Sequence, residues 1–444
     1  SSAVKRIEFS HRELRGGIPT GLRAMSRSLR GWLHGADPEA TMIFNSVMER
    51  VKQHLEEDGL YLETFITKNL LQNLHRSLVT VIPNKNYIEQ QSAQIRKTSR
   101  EIEGKIKTNK KNLKFIQDDQ KRLKTYHDLV ESEESLKCIP VLSVDDMPAQ
   151  VHTIVTQKST IKGISGYRHT FFTNGIVYID FTFNVSGLTH EEEMLLPLFS
   201  RLMYMTGIPG YSYTEVSQLL AEKTGGFHAF LDTGTPVASN SASRYLFFRC
   251  KVLEADTETA LKLVRDILFD SELWDRKRIK DIIQEQISEF SSEIIPSGNA
   301  FASLRASSRM REVSAVEEQW HGIEQLFYIQ SLRDISDDKL RNIGDVLVSI
   351  RQKVLLQNRL TYNVTADESF QDSLASLAGG FFSTFTSGDS ADTLSGHPLQ
   401  PEFSFAERVP FETFITSSDV AFNAMVLPAP RVYEPGQSAF TVLS

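Results

Sequence analysis

The stretch that decides the fold runs from Gly187 to Phe230 and reads GLTHEEEMLLPLFSRLMYMTGIPGYSYTEVSQLLAEKTGGFHAF. Its order is strand end, amphipathic helix, Gly-containing turn, second helix, Gly-Gly, strand. The first helix has its own start signal. Thr189 is placed as N-cap, with Glu192 three residues on to close a capping box, and the acids Glu191 to Glu193 suit the positive end of a helix. His190 beside three glutamates is therefore read as a helix first turn. Only Glu193 shares a face with it at i+3, while Met194 holds the i+4 place, so no three-ligand metal set forms there.

Outward from this core, the pattern alternates strand and helix. HTFFTN (169–174) and IVYIDFTFNV (176–185) read as strands. Helices are expected at 191–206, 213–223, 256–269 and 272–293, with a strand at 243–252 between the second and third. Another helix covers 334–357, followed by the strand RLTYNVTA (359–366). This ordering predicts an α+β fold, with helices packed on one face of a mainly antiparallel sheet. Nearer the N-terminus, apolar residues from Met42 to Leu55 form a helical stripe, and LVTVIP (78–83) reads as a short β-branched strand.

Residues 88–137 differ in texture, being polar, charged and free of proline. Ile88, Ile95 and Ile102 fall seven apart, and after KTNKKN the residues Leu113, Ile116 and Leu123 resume heptad-like spacing. Two arms of a helical hairpin follow. Between Arg96 and Lys114 there are eight Lys/Arg against two acids. That run suits a solvated hairpin face, the usual state of such runs, or a docking surface for an anionic partner. CIPVLSVDDMPAQ (138–150) then reads as a linker. Late in the chain, 383–396 is a Ser/Thr/Asp/Gly-rich loop, and apolar strand material is expected at Glu412–Val426 and again from Gln437.

Composition bounds the function. A net charge of −7 argues against nucleic acid as a partner, which normally needs a dense basic face. No apolar run approaches the length that spans a bilayer, so no integral membrane protein is expected. Cys138 and Cys250 are the only cysteines and neither lies in a C-x-x-C, which removes thiolate zinc and thioredoxin-like chemistry. They suit a reducing compartment, a bacterial cytoplasm or an organelle matrix, without choosing between them.

Several segments together resemble the presequence-protease and falcilysin branch of the insulinase/pitrilysin family of zinc metallopeptidases. They are GLRAMSRSLRGWLHGADP (21–38), HTFFTNGIVYIDFTFNVSGL (169–188), AEKTGGFHAF (221–230) and RLTYNVTAD (359–367), with the hairpin at 88–137 between the first two. The resemblance implies an insulinase-family α/β repeat domain preceded by a helical hairpin connector. It divides the chain into 1–87, the end of a second peptidase-like domain; 88–137, the connector between two halves; 138–160, a linker; and 161–444, a third, non-catalytic peptidase-like domain truncated at its C-terminus. The chain is thus expected to be a fragment.

Catalysis in that family needs H-x-x-E-H for Zn²⁺ in the first half and R-x-x-G-G-A-Y in the second, and neither occurs here. Where a catalytic repeat carries H-x-x-E-H, this one has Leu198, Phe199, Ser200, Arg201 and Leu202. Arg431 and Tyr433 are two apart with no Gly-Gly between them, flanked by Pro428, Pro430 and Pro435, and read as a loop. No catalytic or metal-binding residue is expected in this chain, and zinc belongs to the parent enzyme. Expected partners are peptide substrates and the N-terminal catalytic half of the same polypeptide. Gly225 and Gly226 suit either a helix C-cap feeding a strand or a substrate-facing bend. On the second reading, Phe227, His228, Ala229 and Phe230 line a chamber wall. The implied function is that of a peptide-degrading metalloendopeptidase, to which this part adds a hinge and a wall. The alternative is a family member without a catalytic set, acting as a structural or chaperone-like subunit.

Overall fold

A β-branched, aromatic-rich strand needs neighbours on both sides, and IVYIDFTFN finds them at the centre of a six-stranded sheet. In the computed structural model, which describes residues 2–13, 19–108, 110–141, 143–146, 150, 153–236, 242–388, 412–417, 419–430, 434, 436 and 437, the strands are β1 (Gln157–Ile161), β2 (Ile164–Thr170), β3 (Ile176–Asn184), β4 (Gly226–Gly234), β5 (Ser243–Leu253) and β6 (Leu360–Ala366). Their spatial order is β1-β2-β6-β3-β5-β4. Only β2 and β6 pair in parallel; every other neighbour is antiparallel. The fold class is the α+β arrangement expected.

Contacts divide the chain into one unit of Ser1–Met48 with Ile154–Ser444 and a second of Glu49–Thr153. The first holds the sheet. Its strands alternate strictly: Phe227, Ala229 and Leu231 on β4, and Leu246, Phe248, Cys250 and Val252 on β5, join one core with helices His190–Met205, Thr257–Asp270, Arg276–Glu293 and Asp337–Val354. Burying a side chain such as Leu196 or Val264 stabilises by about 1.5–3 kcal/mol, so this core dominates the unit's stability. The second unit holds helices Tyr87–Thr108 and Lys110–His127 in contact, the two arms anticipated from the heptads. Their seam residues Ile88, Ile95, Ile102, Leu113, Ile116 and Leu123 remain exposed.

Three strand expectations are corrected. HTFFTN contributes only His169 and Thr170 to β2; the chain then turns through Asn174 and Gly175, both at positive φ. The Asp367 carboxylate holds that turn by accepting from the Thr173 and Gly175 backbone N–H groups at 2.9 and 2.8 Å. LVTVIP joins no ladder, and Leu78, Val79, Val81 and Ile82 are exposed, because β-branched composition suits a pleated surface but supplies no partner strand. The described part of 412–426 also forms no strand. Glu412 instead pairs with Arg305 on helix Gly298–Ser307 through two 2.9 Å contacts, and the Phe422 ring fills the space over Gly298. Arg431, Tyr433 and the segment after Gln437 lie outside the described residues, as does the 383–396 loop beyond 388.

One strand was not anticipated. β1 starts inside the stretch read as linker and returns into β2 through Lys162 (φ 51°) and Gly163 (φ 83°), a two-residue turn of the left-handed kind that favours hairpins.

A buried charge cluster ties three elements of the first unit. Arg244 at the start of β5 meets Glu312 at 3.0 Å and Glu193 at 3.5 Å, and Glu312 also accepts from the Ala242 N–H. Burial pushes the Glu193 carboxyl up from 4.5 to about 7; the Arg244 charge opposes the rise and that of Glu312 adds to it. A carboxyl that is more basic folded than unfolded takes up a proton on folding between those two values. Its contribution is therefore fully present below about 4.5 and is lost as pH rises through about 7. Glu193→Gln is expected to remove this pH-dependent loss. In urea unfolding at about pH 5 and about pH 8, wild type should lose more stability between the two than the variant does, and equal losses would show Glu193 ionised throughout.

Candidate functional site: the Gly225–Phe230 strand and the open sheet face

The helix His190–Met205 begins with the capping box expected. The Glu192 N–H donates to Thr189 Oγ1 at 3.3 Å, and the Thr189 N–H donates back to Glu192 Oε2 at 3.0 Å. Glu192 also holds Lys353 at 2.7 Å, and these contacts keep its carboxyl ionised to lower pH than usual despite its burial. Farther along, the positions compared with a zinc motif are structural. Leu198, Phe199 and Leu202 are fully buried, Ser200 donates to the Pro197 carbonyl, and Arg201 pairs with Glu289. Among the described residues no group of three His, Cys, Asp or Glu is placed to hold a metal ion. The residues present do not fit zinc.

After Tyr213–Lys223 the chain stops its helix with Thr224, in an extended conformation, whose Oγ1 donates to the Leu220 carbonyl at 2.7 Å. The stop is thus made by threonine, while the two glycines serve other ends. A Cβ on Gly225 would run into the ring of Phe9, and Gly226 sits at φ +151°. Phe9 belongs to the helix Ser2–Arg12, is itself buried, and has Lys251 Nζ 5.4 Å above its ring. Lys251 pairs with Glu13 at 2.6 Å and Lys5 with Asp256 at 2.7 Å, so the N-terminal helix docks on the start of β4 by one ring between two ion pairs.

The six residues proposed as a wall divide between two faces. Phe227 and Ala229 enter the helix-covered core, where Phe227 stacks on Phe248 with centroids 6.2 Å apart. His228 and Phe230 lie on the opposite, open face. There Phe230 stacks on Phe247 at 5.0 Å with rings 6° from parallel, Tyr245 meets Phe247 edge-on at 6.3 Å, and His228 lies 5.8 Å from Phe230. The Arg249 guanidinium covers the Phe230 ring at 5.1 Å and is held flat by a two-pronged pair with Asp180 at 2.7 and 3.0 Å. Burial lowers the His228 pKa below its usual value, and the charges of Arg249 and Lys251 lower it further, so its ring is neutral at pH 7.

β4 is an edge of the sheet, without a strand on its outer side among the described residues. His321, from helix Glu312–His321, hydrogen-bonds the Leu231 backbone, and burial keeps that imidazole neutral too. Sequence reading missed Asp180, Tyr245, Phe247 and Arg249. The signal was present, since RYLFFRCKV alternates Tyr245, Phe247, Arg249 and Lys251 with an apolar set, and period-two sorting puts the four on one face.

A family model described as the associated region of the peptidase M16 family, subfamily C, matches residues 81–332. The chain belongs to this peptidase M16-associated family. Over 83% of its length this M16-associated chain is 28% identical to Protein HypA of Clostridium perfringens, covering 37% of that protein. It is 24% identical to Presequence protease 1, chloroplastic/mitochondrial, of Arabidopsis thaliana over 82% of the chain and 34% of that protein. Against Presequence protease, mitochondrial, of Yarrowia lipolytica it is 24% identical over 88% of the chain and 39% of that protein. The chain thus spans from about a third to two fifths of the length of these relatives. Among solved structures, a peptidase M16 inactive domain from Pseudomonas fluorescens matches with a TM-score of 0.37 at 14% identity, over 53% of this chain and 52% of that one.

Two measurements probe this geometry. Gly225→Ala forces its new methyl against Phe9 and is expected to cost about 1–3 kcal/mol by overpacking. Adding Phe9→Ala removes the clash, so in a double-mutant cycle by thermal unfolding Gly225→Ala should cost little in the Phe9→Ala background. Arg249→Gln removes the larger of the two charges acting on His228 and is expected to raise its pKa, read from the imidazole resonances in an NMR titration.

Proposed function

We propose that this chain is part of a zinc-dependent metalloendopeptidase that degrades short unstructured peptides, of the targeting-peptide type, in a closed chamber. The chain supplies the hinge and the non-catalytic wall. One observation carries the reading. In a member of the peptidase M16-associated family, the helix compared with the zinc-binding one is sealed into the core by Leu198, Phe199 and Leu202, so no ligand set can form on it. Chemistry then falls to another part of the parent polypeptide, whose resident Zn²⁺ would polarise a peptide carbonyl and activate water. Relatives that carry the name presequence protease support a peptide substrate.

On this reading residues 1–87 end a second peptidase-like domain, 88–137 form the connector between the halves, 138–160 a linker, and 161–444 the third, non-catalytic domain. The wall is the strand Gly225–Phe230. Physically, a closed chamber selects by size, because a folded protein does not enter, whereas an extended peptide pairs its main chain with an unpartnered edge strand such as β4.

The purified chain is expected to bind no stoichiometric zinc and to cleave no peptide, while the full-length parent cleaves unstructured peptides and is stopped by a chelator. Metal analysis and a quenched-fluorescence peptide assay on both proteins check this. One equivalent of zinc with chelator-sensitive cleavage by the chain alone overturns it. Inactivity of the zinc-loaded parent would favour the structural-subunit alternative.

A further inference from the structure

The open face beside the β4 edge carries an uninterrupted surface of four rings, His228, Phe230, Phe247 and Tyr245, each in contact with the next at 5.0–6.3 Å. Aromatic surface left out of the core costs hydration free energy, and where it is contiguous it marks a place that another molecule covers. The core claims none of these four. It takes their alternating neighbours Phe227, Ala229, Leu246 and Phe248.

We propose that this stripe is an apolar side-chain subsite for an extended peptide running along β4, taking aromatic and aliphatic side chains in preference to charged ones; the proposal rests on β4 being part of the wall and says which chemistry the wall selects. Three observations on the residues themselves support that occupant. First, the patch is electrically neutral. Asp180 cancels Arg249, Glu13 cancels Lys251, and His228 is uncharged at pH 7, so no fixed charge recruits an ionic side chain. Second, the spacing fits. His228 and Phe230 stand two residues apart on one face with centroids 5.8 Å apart, close to the roughly 7 Å at which an extended chain repeats its side chains. Third, the surface is pre-organised. The Asp180 carboxylate fixes Arg249 flat against Phe230, and Phe230 is stacked on Phe247, so little rotamer freedom remains to be lost on binding. The Arg249 side chain is half exposed, which leaves the outer side of this assembly reachable.

The test uses the full chain and three fluorescein-labelled peptides of equal length read by anisotropy: one with Phe and Leu at alternate positions between Ser and Gly, one with those Phe and Leu replaced by Ser, and one with the apolar residues kept but alternate amides N-methylated. Chain variants Phe230→Gln and Phe247→Ala are compared with wild type, with circular dichroism as the folding control. Both rings lie outside the core, so two independent variants guard against a folding defect in one. Binding of the apolar peptide that weakens at least about tenfold in the Ser peptide and in both variants is the expected result. Binding that depends on the free amides, yet is indifferent to Ser replacement and to both ring variants, overturns the subsite while leaving the edge-strand wall standing. Absence of binding by any peptide overturns both.

Discussion

The seal between helix His190–Met205 and the sheet organises everything else in the larger unit. Leu195, Leu196, Leu198, Phe199 and Leu202 are all fully buried, on a helix whose first turn is tied down by its own capping box and by Lys353. A site that binds and activates metal needs polar donors with room for water. A helix face that fills its space with leucine and phenylalanine forbids both, because a buried donor without a partner costs about 1–3 kcal/mol and a truncated core residue about 2–5 kcal/mol. The absence of catalytic residues on this helix is therefore a packing decision. The consequence is that the helix-covered side of the sheet is committed to stability, and recognition is left to the opposite side.

Charges inside the unit are arranged around that division. Glu193, Arg244 and Glu312 lie on the covered side and join the helix start, the first residues of β5 and helix Glu312–His321. Asp180 and Arg249 lie on the open side, where their pairing flattens a cation over an aromatic ring. The first group is buried and strained electrostatically, as the raised Glu193 carboxyl shows. The second is half solvated and costs less, but it sets the shape and neutrality of the surface. The docked helix Ser2–Arg12 follows the same logic of close contact, since its ring enters a space that only glycine leaves open at position 225.

Much of this was legible without coordinates. The capped helix at 190, the helix Tyr213–Lys223, strands β3, β5 and β6, and the two arms of the hairpin all follow from periodicity and caps read over a dozen residues. LVTVIP and the 412–426 segment were misread for one reason. Their composition is that of strands, but strand identity requires a hydrogen-bonding partner, which no local window contains. The candidate site was half legible. Its Gly-Gly and its strand were visible, whereas the partition of Phe227 and Ala229 from His228 and Phe230 depends on which face the helices cover.

What the sequence by itself determined is therefore local and subtractive: helix starts, strand material, the hairpin, a resemblance borne out by family membership, and the lack of H-x-x-E-H and R-x-x-G-G-A-Y in this chain. Such features rest on neighbours within one or two turns, or on residue identity alone. Only the tertiary structure decided that Gly225 is a socket for Phe9, that Glu193 meets Arg244 and Glu312, and that Phe230, Phe247, Arg249 and Asp180 form one surface. Those groups stand on three strands and several helices far apart in the chain. The register of the sheet brings them together, and register is set by the burial of the whole apolar face rather than by any one segment.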